Sequence, residues 1–305
     1  MLKIIILSIG FLSFEATAIS QSPVIKPIPN APVPAGTQTV LPLPTAYNSN
    51  AKINYVRVFE PTVPIIDETI ISQQNIDAVK VVTSYVDGLG RAAETVTKQI
   101  SPLQNDMVSY TTYDAYGRPT IQYMPYTATT GDGNFKTNPF LEQQTVYQQQ
   151  FNANGNGEKF YYGKTEIENS PLQRATKTMA PGNSWVGSNN GASVEYLLNN
   201  PYDDIKIFTI GDAATDVPVI TGVYPVSTLS KTRTLDENGA TIETFTDKEG
   251  KVILKSYKYS IGSRYATNAY RNTYYIYDKF GQLRFVLQPK AIELLSMNGG
   301  EFTNL

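Results

Sequence analysis

The sequence predicts a mainly β protein: antiparallel hairpins stacked into a β-sheet shell or partial barrel, with one short helical insertion. Three observations lead there. A turn unit built around Asp-x-x-Gly recurs along the chain, and the segments between turns alternate apolar and polar residues with period two. The composition suits strands and turns, since Tyr (21) outnumbers Phe (12) while Gly (21) and Pro (19) are plentiful. The unit is clearest in Ser84-Tyr85-Val86-Asp87-Gly88-Leu89-Gly90-Arg91, and it returns in Tyr113-Asp114-Ala115-Tyr116-Gly117-Arg118 and Tyr277-Asp278-Lys279-Phe280-Gly281-Gln282. A unit that recurs is built to stack.

Composition also excludes function classes. A hydrophobic share of 41% excludes wholesale disorder. A net charge of −2 carries no basic footprint for nucleic acid, and no Lys/Arg-rich face marks a membrane surface. The chain has no His and no Cys, which removes Ser-His-Asp triads, thiol nucleophiles, Cys/His zinc sites, disulfides and an acylated N-terminal Cys.

Taken in order, residues 1–18 read as a cleavable signal peptide. Lys3 precedes an apolar run over 4–14, shorter than the roughly 20 residues of a membrane span, and Ala16-Thr17-Ala18 offers small residues for cleavage. The mature chain is expected to be secreted or at the cell surface, with no membrane span left after cleavage. Residues 19–50 carry Pro23, Pro27, Pro29, Pro32, Pro34, Pro42 and Pro44 and read as an extended, polyproline-like linker. Order is expected to begin near Ile53.

A first β-hairpin module is expected over 51–125, with a strand over 54–60 and strands over 77–83, 93–100, 107–113 and 119–124 that form a meander. Residues 126–229 read as an insertion-bearing β region. A polar loop over 127–138 leads to a helix over 139–151, capped by Asn138-Pro139 and presenting Phe140, Val146, Tyr147 and Phe151 as its apolar side. Strands over 160–167 and 174–179 flank Glu168-Asn169-Ser170-Pro171-Leu172-Gln173-Arg174, a degenerate copy of the unit. The single Trp185 is placed against the core, and segments 194–198 and 205–210 read as a further hairpin. A second module over 230–305 alternates well in 230–235, 241–246 and 252–259. Its turns are Asp236-Glu237-Asn238-Gly239 and Asp247-Lys248-Glu249-Gly250. The last unit spans 273–287, and a helix is expected to start over 290–295. No closing element follows, so the chain is expected to be a truncated piece of a longer protein.

Turn geometry accounts for the residues of the unit. The Asp carboxylate is expected to accept from backbone N–H groups two and three residues on. The Gly supplies positive φ. The Tyr lies on the strand with its hydroxyl free for a neighbouring turn, and the Arg or Lys after the Gly pairs with the Asp or lies over the next Tyr. The candidate site residues are therefore structural: Tyr85, Asp87, Gly90, Arg91, Tyr113, Asp114, Gly117, Arg118, Glu168, Arg174, Asp236, Gly239, Asp247, Gly250, Tyr277, Asp278 and Gly281. None is assigned to catalysis, a cofactor or a metal.

Chemical motifs are weaker than this account. Gly88-x-Gly90-x-x-Ala93 matches a loose dinucleotide fingerprint, but Glu94-Thr95-Val96-Thr97 is strand where a helix is needed. Ser49-x-x-Lys52 has the spacing of penicillin-binding enzymes without the companion motifs. Asp203, Asp204, Asp236 and Asp247 offer carboxylates from which spacing selects no pair. Asp236-Glu237-Asn238-Gly239 has Gly at the wrong place for an EF-hand, which leaves open a weak calcium site made of several turn acids. The Tyr-rich strands offer a platform for carbohydrate, or simply packing.

The Tyr-Asp-x-x-Gly-Arg units resemble the YD repeats of the Rhs/YD-repeat family. The run from about Asn54 to Pro289 is similar to the N-terminal domain of unknown function that opens large YD-repeat proteins of Bacteroidota. Besides the units already quoted, Tyr123-Met124-Pro125-Tyr126 and Ala180-Pro181-Gly182 carry the likeness. The resemblance implies the opening part of a β-strand shell of the kind that encloses a C-terminal effector, often a toxin. The long repeat array, the self-cleaving core motif and any effector are missing from this sequence. The expectation is a non-catalytic structural module whose partner is the remainder of such a shell, in the same or an adjacent chain. The alternative is an adhesin module that binds carbohydrate or another cell-surface molecule. No cofactor and no nucleic-acid partner is expected.

Overall fold

The structure, a computed structural model, describes residues 36–297 apart from 49, 51, 66, 67, 214 and 259–269. The segment expected to be a signal peptide and most of the Pro-rich stretch lie outside the described residues, as does Ser49 of the Ser-x-x-Lys match. The first ladder is a meander of β1 (Asn54–Pro61), β2 (Val79–Val86), β3 (Ala92–Thr97) and β4 (Met107–Tyr110). β2 shows why: Val79, Val81, Thr83 and Tyr85 are buried and the residues between them are not, the period-two pattern of a half-buried strand. The chain then leaves for β5 (Ile121–Tyr123), which belongs to the second sheet, and returns as β6 (Tyr126–Thr127) on the far side of β4.

The meander expected over 77–124 therefore breaks at the second turn. β5 pairs with a later strand rather than with β4, and only the single bridge Thr111–Gln122 joins the two arms of the Asp114 turn. Pro119 lacks the N–H that a continuous ladder needs there. After β6 comes α1 (Pro139–Phe151), capped by Asn138, whose Oδ1 accepts from the Leu141 N–H, with Pro139 at its first turn. Phe140 and Tyr147 are buried as expected; Phe151 is exposed and Gln143 is buried in its place.

The second sheet collects β7 (Tyr162–Ile167), β8 (Ala175–Met179), β9 (Ala192–Leu198), β12 (Ser230–Leu235), β13 (Thr241–Thr246), β14 (Val252–Lys258), β15 (Tyr270–Tyr277) and β16 (Leu283–Leu287). Its order is β16-β15-β14-β13-β12-β9-β8-β7-β5, antiparallel throughout. The hairpin expected from 194–198 and 205–210 does not form. β9 pairs with β12, while β10 (Lys206–Thr209) pairs with β11 (Val219–Val223) as a separate ribbon. Asn199 explains the diversion. Its Oδ1 accepts from the N–H groups of Thr228 and Leu229 and its amide donates to Pro225, so the excursion over 200–227 is tied off at its base. A second helix, α2 (Pro289–Met297), follows β16, making two helices where the sequence predicted one insertion and a helix start. The fold is mainly antiparallel β, and among the described residues neither of the two large ladders closes on itself.

Apolar clusters hold this arrangement. Tyr85, Val96, Val108, Tyr110, Phe140 and Tyr147 pack between the first sheet and α1. Phe245, Leu254, Tyr274, Ile276, Leu287 and Leu295 pack on the second sheet. Order begins earlier than Ile53. Val40 packs on Phe160, Tyr162 and Met179, the Leu41 N–H donates to the Tyr162 hydroxyl, and the Tyr47 N–H donates to the Thr137 carbonyl. The described end of the Pro-rich stretch is thus docked on the body rather than a free tether. Trp185 is half-buried on the wall of an apolar groove with Phe160 and Tyr161, outside the core clusters.

The loop over 127–138 is pinned by buried charge. Asp106 is fully buried; its carboxylate accepts from the N–H groups of Gln99 and Gly133 and from Lys136 Nζ at 2.9 Å. Glu94, 1% exposed, accepts from the Lys136 backbone N–H through Oε1, while its buried Oε2 has no partner. Burial pushes the Glu94 carboxyl up to about 8 against the opposing pull of Lys136, with Glu142 adding to the rise. The folded state therefore binds a proton that the unfolded chain releases near pH 4.5. The stability this gives is complete below that pH and is lost as pH rises to about 8. Urea titrations are expected to show stability falling across this window, by at most about 1.4 kcal/mol per pH unit. The Glu94→Gln variant is expected to lack that fall; a wild-type slope in the variant would assign it to another group.

Candidate functional site: a repeated turn latch

Each turn closes in the same way. In the first, the Asp87 N–H donates to the Arg91 carbonyl and the Gly90 N–H donates back to the Asp87 carbonyl. The second bond uses the N–H three residues on, so the Asp87 carboxylate cannot take it. Oδ1 accepts instead from Leu89 and Arg91, two and four residues on, each at 2.9 Å. This corrects the expectation of two and three. The same pattern recurs around Asp114, Asp236, Asp247 and Asp278. The glycines that close these turns, Gly90, Gly117, Gly239, Gly250 and Gly281, have φ between 76° and 84°, in the left-handed region. In the degenerate copy Gln173 takes that conformation at φ 50°, and Glu168, one carbon longer, reaches across the larger loop to Arg174.

The basic residue does two things at once. Arg91 donates Nε to Asp87 Oδ2 at 2.8 Å and sets its Nη2 at 2.7 Å from the same oxygen. With Oδ1 on two backbone N–H groups, the lone pairs of the carboxylate are taken. Arg118 and Asp114 repeat this pair. These hydrogen bonds, first those from the backbone N–H groups of Arg91 and Arg118, hold both Asp carboxyls below their ordinary range; Arg174 does the same to Glu168, down to about 2. The Arg91 guanidinium also lies over the Tyr113 ring, 4.1 Å from its centroid. The Tyr113 hydroxyl then donates to the carbonyl of Ala92, the residue after Arg91, at 2.8 Å.

Among the described residues this two-point latch occurs three times. Arg174 lies 3.9 Å from the Tyr196 centroid, and the Tyr196 hydroxyl donates to Ala175. Lys251 lies 5.7 Å from the Tyr277 centroid, and the Tyr277 hydroxyl donates to Val252. In every case the basic residue of one turn holds a later Tyr, on β9 and β15 for Tyr196 and Tyr277 and just past β4 for Tyr113, and the Tyr returns a hydrogen bond one residue beyond it. The turns at Asp236 and Asp278 end in Ala240 and Gln282 and make no such latch. Tyr85 departs from the pattern. It sits two residues before Asp87, and its side chain joins the core and donates to the Gly133 carbonyl.

Tyr196 was invisible to motif reading because no Asp-x-x-Gly follows it. The signal was spacing: the hydroxyl and its acceptor are 21 residues apart in both the Tyr113 and Tyr196 latches, and 25 apart in the third. The other candidates resolve into neighbouring structure. Gly88-x-Gly90-x-x-Ala93 is a turn running into β3, with no helix start. Asp203 pairs with Lys231, Asp204 pairs with Lys206, and Asp236 and Asp247 serve their own turns. Among the described residues no three acidic side chains converge on a metal position, and no helix is long and apolar enough to cross a membrane.

Residues 57–198 match the model of a family described as a domain of unknown function, DUF6443, a stretch that runs from within β1 to the end of β9. No curated protein matches the chain. Among solved structures the chain is similar to "TcdB2-TccC3-TEV", with a TM-score of 0.46 and 15% identity over 73% of this chain. It is also similar to "TcdB2-TccC3 without hypervariable C-terminal region", with a TM-score of 0.46 and 14% identity over 72% of this chain. The chain spans 10% and 9% of those two chains. At this level the likeness carries no argument; the architecture rests on the strand ladders themselves.

Three outcomes test the latch and its turn. A double-mutant cycle on Arg91→Ala and Tyr113→Phe is expected to give a coupling of about 0.5–1 kcal/mol, the size of a half-exposed cation–π contact. Gln173→Gly is expected to stabilise by up to about 1 kcal/mol, because Gly adopts the left-handed region without a Cβ penalty. Gly90→Ala meets no atom within 4 Å, and is expected to destabilise by about 1–2 kcal/mol through φ alone.

Proposed function

We propose that this chain is a non-catalytic structural module of a YD-repeat-type β-shell, exported and exposed outside the cell, that joins further shell strands through the open ends of its sheets. The observation that carries the reading is the latch. Turn, side-chain cation (a guanidinium twice, the Lys251 ammonium once) and tyrosine hydroxyl couple one unit to a later one three times among the described residues, which is how a wall is extended rather than how a pocket is built. The repeat resemblance supplies the class of object, a shell of the kind that encloses a C-terminal effector. The turn carboxylates of Asp87 and Asp114 are consumed by backbone N–H groups and Arg, which favours a structural over an acid–base role. Export rests on the N-terminal sequence pattern.

The sheet ends supply the joining surface. β1 is the outermost strand of its sheet and is exposed on both faces, with Val56 at 63% and Tyr55 at 56%. A long strand of this kind, with its outer edge unpaired among the described residues, is a template for another strand. The purified chain is expected to self-associate with rising concentration in light scattering. The Val56→Lys/Val58→Lys double variant is expected to weaken association at least about tenfold with its circular dichroism unchanged, because charge blocks edge pairing. A chain that stays monomeric, or association that ignores the substitutions, would contradict the edge as the joining surface.

A further inference from the structure

A polar row crosses one face of the second sheet. By strand register Glu195, Arg233, Glu243, Ser256 and Asn272 stand opposite one another on β9, β12, β13, β14 and β15. A cleft of about 320 Å³ lies over this row, at the small end of ligand pockets. Its floor is Phe245 and Leu254 beside the buried Lys231, whose Nζ pairs with Asp203 at 2.7 Å and Glu243 at 3.1 Å. Arg233 bridges Glu243 and Glu195. The rim carries two tyrosines. Tyr202 is 96% exposed and Tyr270 51% exposed.

The rim is built rather than loose. The Asn200 side chain accepts from the Tyr202 N–H, the Asp203 carboxylate accepts from the Asn200 N–H, and Lys231 anchors Asp203 from below. The backbone that carries Tyr202 is thus fixed at the mouth of a polar cleft, and its ring stands in water, where it buries almost nothing of its own. The buried Oδ1 of Asn272 accepts no hydrogen bond. The charges of the lining residues Asp203, Glu243, Lys231 and Arg233 cancel, while Glu195 pairs with Arg233 at the end of the row and Lys258 lies over Tyr270 at the rim. The exposed Tyr202 ring and the Tyr270 ring, which has Lys258 Nζ over one face at 5.5 Å, flank planar amide, carboxylate, guanidinium and hydroxyl groups, which suits a ligand with both apolar C–H faces and equatorial hydroxyls.

We infer that this cleft binds a neutral saccharide, its ring stacked on Tyr202 and Tyr270 and its hydroxyls directed to the Ser256–Asn272 end of the row. The inference stands on the cleft alone and does not require that the chain join a shell. Saturation-transfer NMR on the full chain, with cellobiose, N,N′-diacetylchitobiose, N-acetyllactosamine and mannobiose as probes and heparin as the anionic comparison, tests it. The expected result is saturable binding of at least one neutral disaccharide. Tyr202→Ala is expected to weaken it about tenfold, whereas Tyr116→Ala, at a tyrosine 75% exposed on another turn, leaves it unchanged. Tyr270→Ala serves as the second rim variant and is expected to weaken it likewise. No transfer to any neutral probe, transfer to heparin alone, or equal binding by both rim variants and wild type would overturn the proposal.

Discussion

The structure depends on a carboxylate that closes its own turn. Once the Gly N–H is committed to the Asp carbonyl, the two N–H groups on either side of it are left facing inward, and one Asp oxygen satisfies both. Without that oxygen the loop would carry two unpaired donors at the end of a ladder. The second oxygen is free to fix an Arg, and the fixed Arg has a flat face. That face is where a later strand attaches its Tyr. A local constraint of five residues is thereby converted into a contact between units 21 residues apart.

This coupling differs from core burial in what it specifies. The apolar clusters hold the sheets against α1, the 200–227 excursion and α2, and they tolerate exchange of one apolar residue for another. The latch has directional partners at both ends, so it sets which turn lies beside which strand. The positions that lack it are informative as well. Ala240 and Gln282 follow the same turns without a cation, although both lie in the run from β12 to β16 that also holds the Lys251 latch, and Arg118 lies over Tyr116 of its own turn instead. Where the chain must leave one sheet and rejoin another, at Asp114, the Arg118 pair holds the turn although its two arms scarcely pair.

Much of this was legible in the sequence because the turn chemistry is local. The Asp-x-x-Gly spacing marked five turns, Asn138-Pro139 marked the start of α1, and alternation marked β1, β12, β13 and β14 within a residue or two. What was not legible depends on distance. Nothing near Tyr196 announces that Arg174 will cover it. The excursion over 200–227 hides the pairing of β9 with β12, because Asn199 reaches residues almost thirty positions away. The docking of residues 36–47 is a third case. Proline predicts extended chain correctly, but whether extended chain lies on a surface is decided by Phe160, Tyr162 and Thr137, which are far off in sequence.

The central claim is that the latch couples units rather than decorating them. Native-state hydrogen exchange on the Tyr277→Phe variant tests it most directly, since only the hydroxyl bond to Val252 is removed. Coupling predicts that amides of the Asp247 turn and of the β15–β16 hairpin lose protection together and by a similar factor. Loss confined to the neighbours of residue 277, with the Asp247 turn as protected as before, would contradict it.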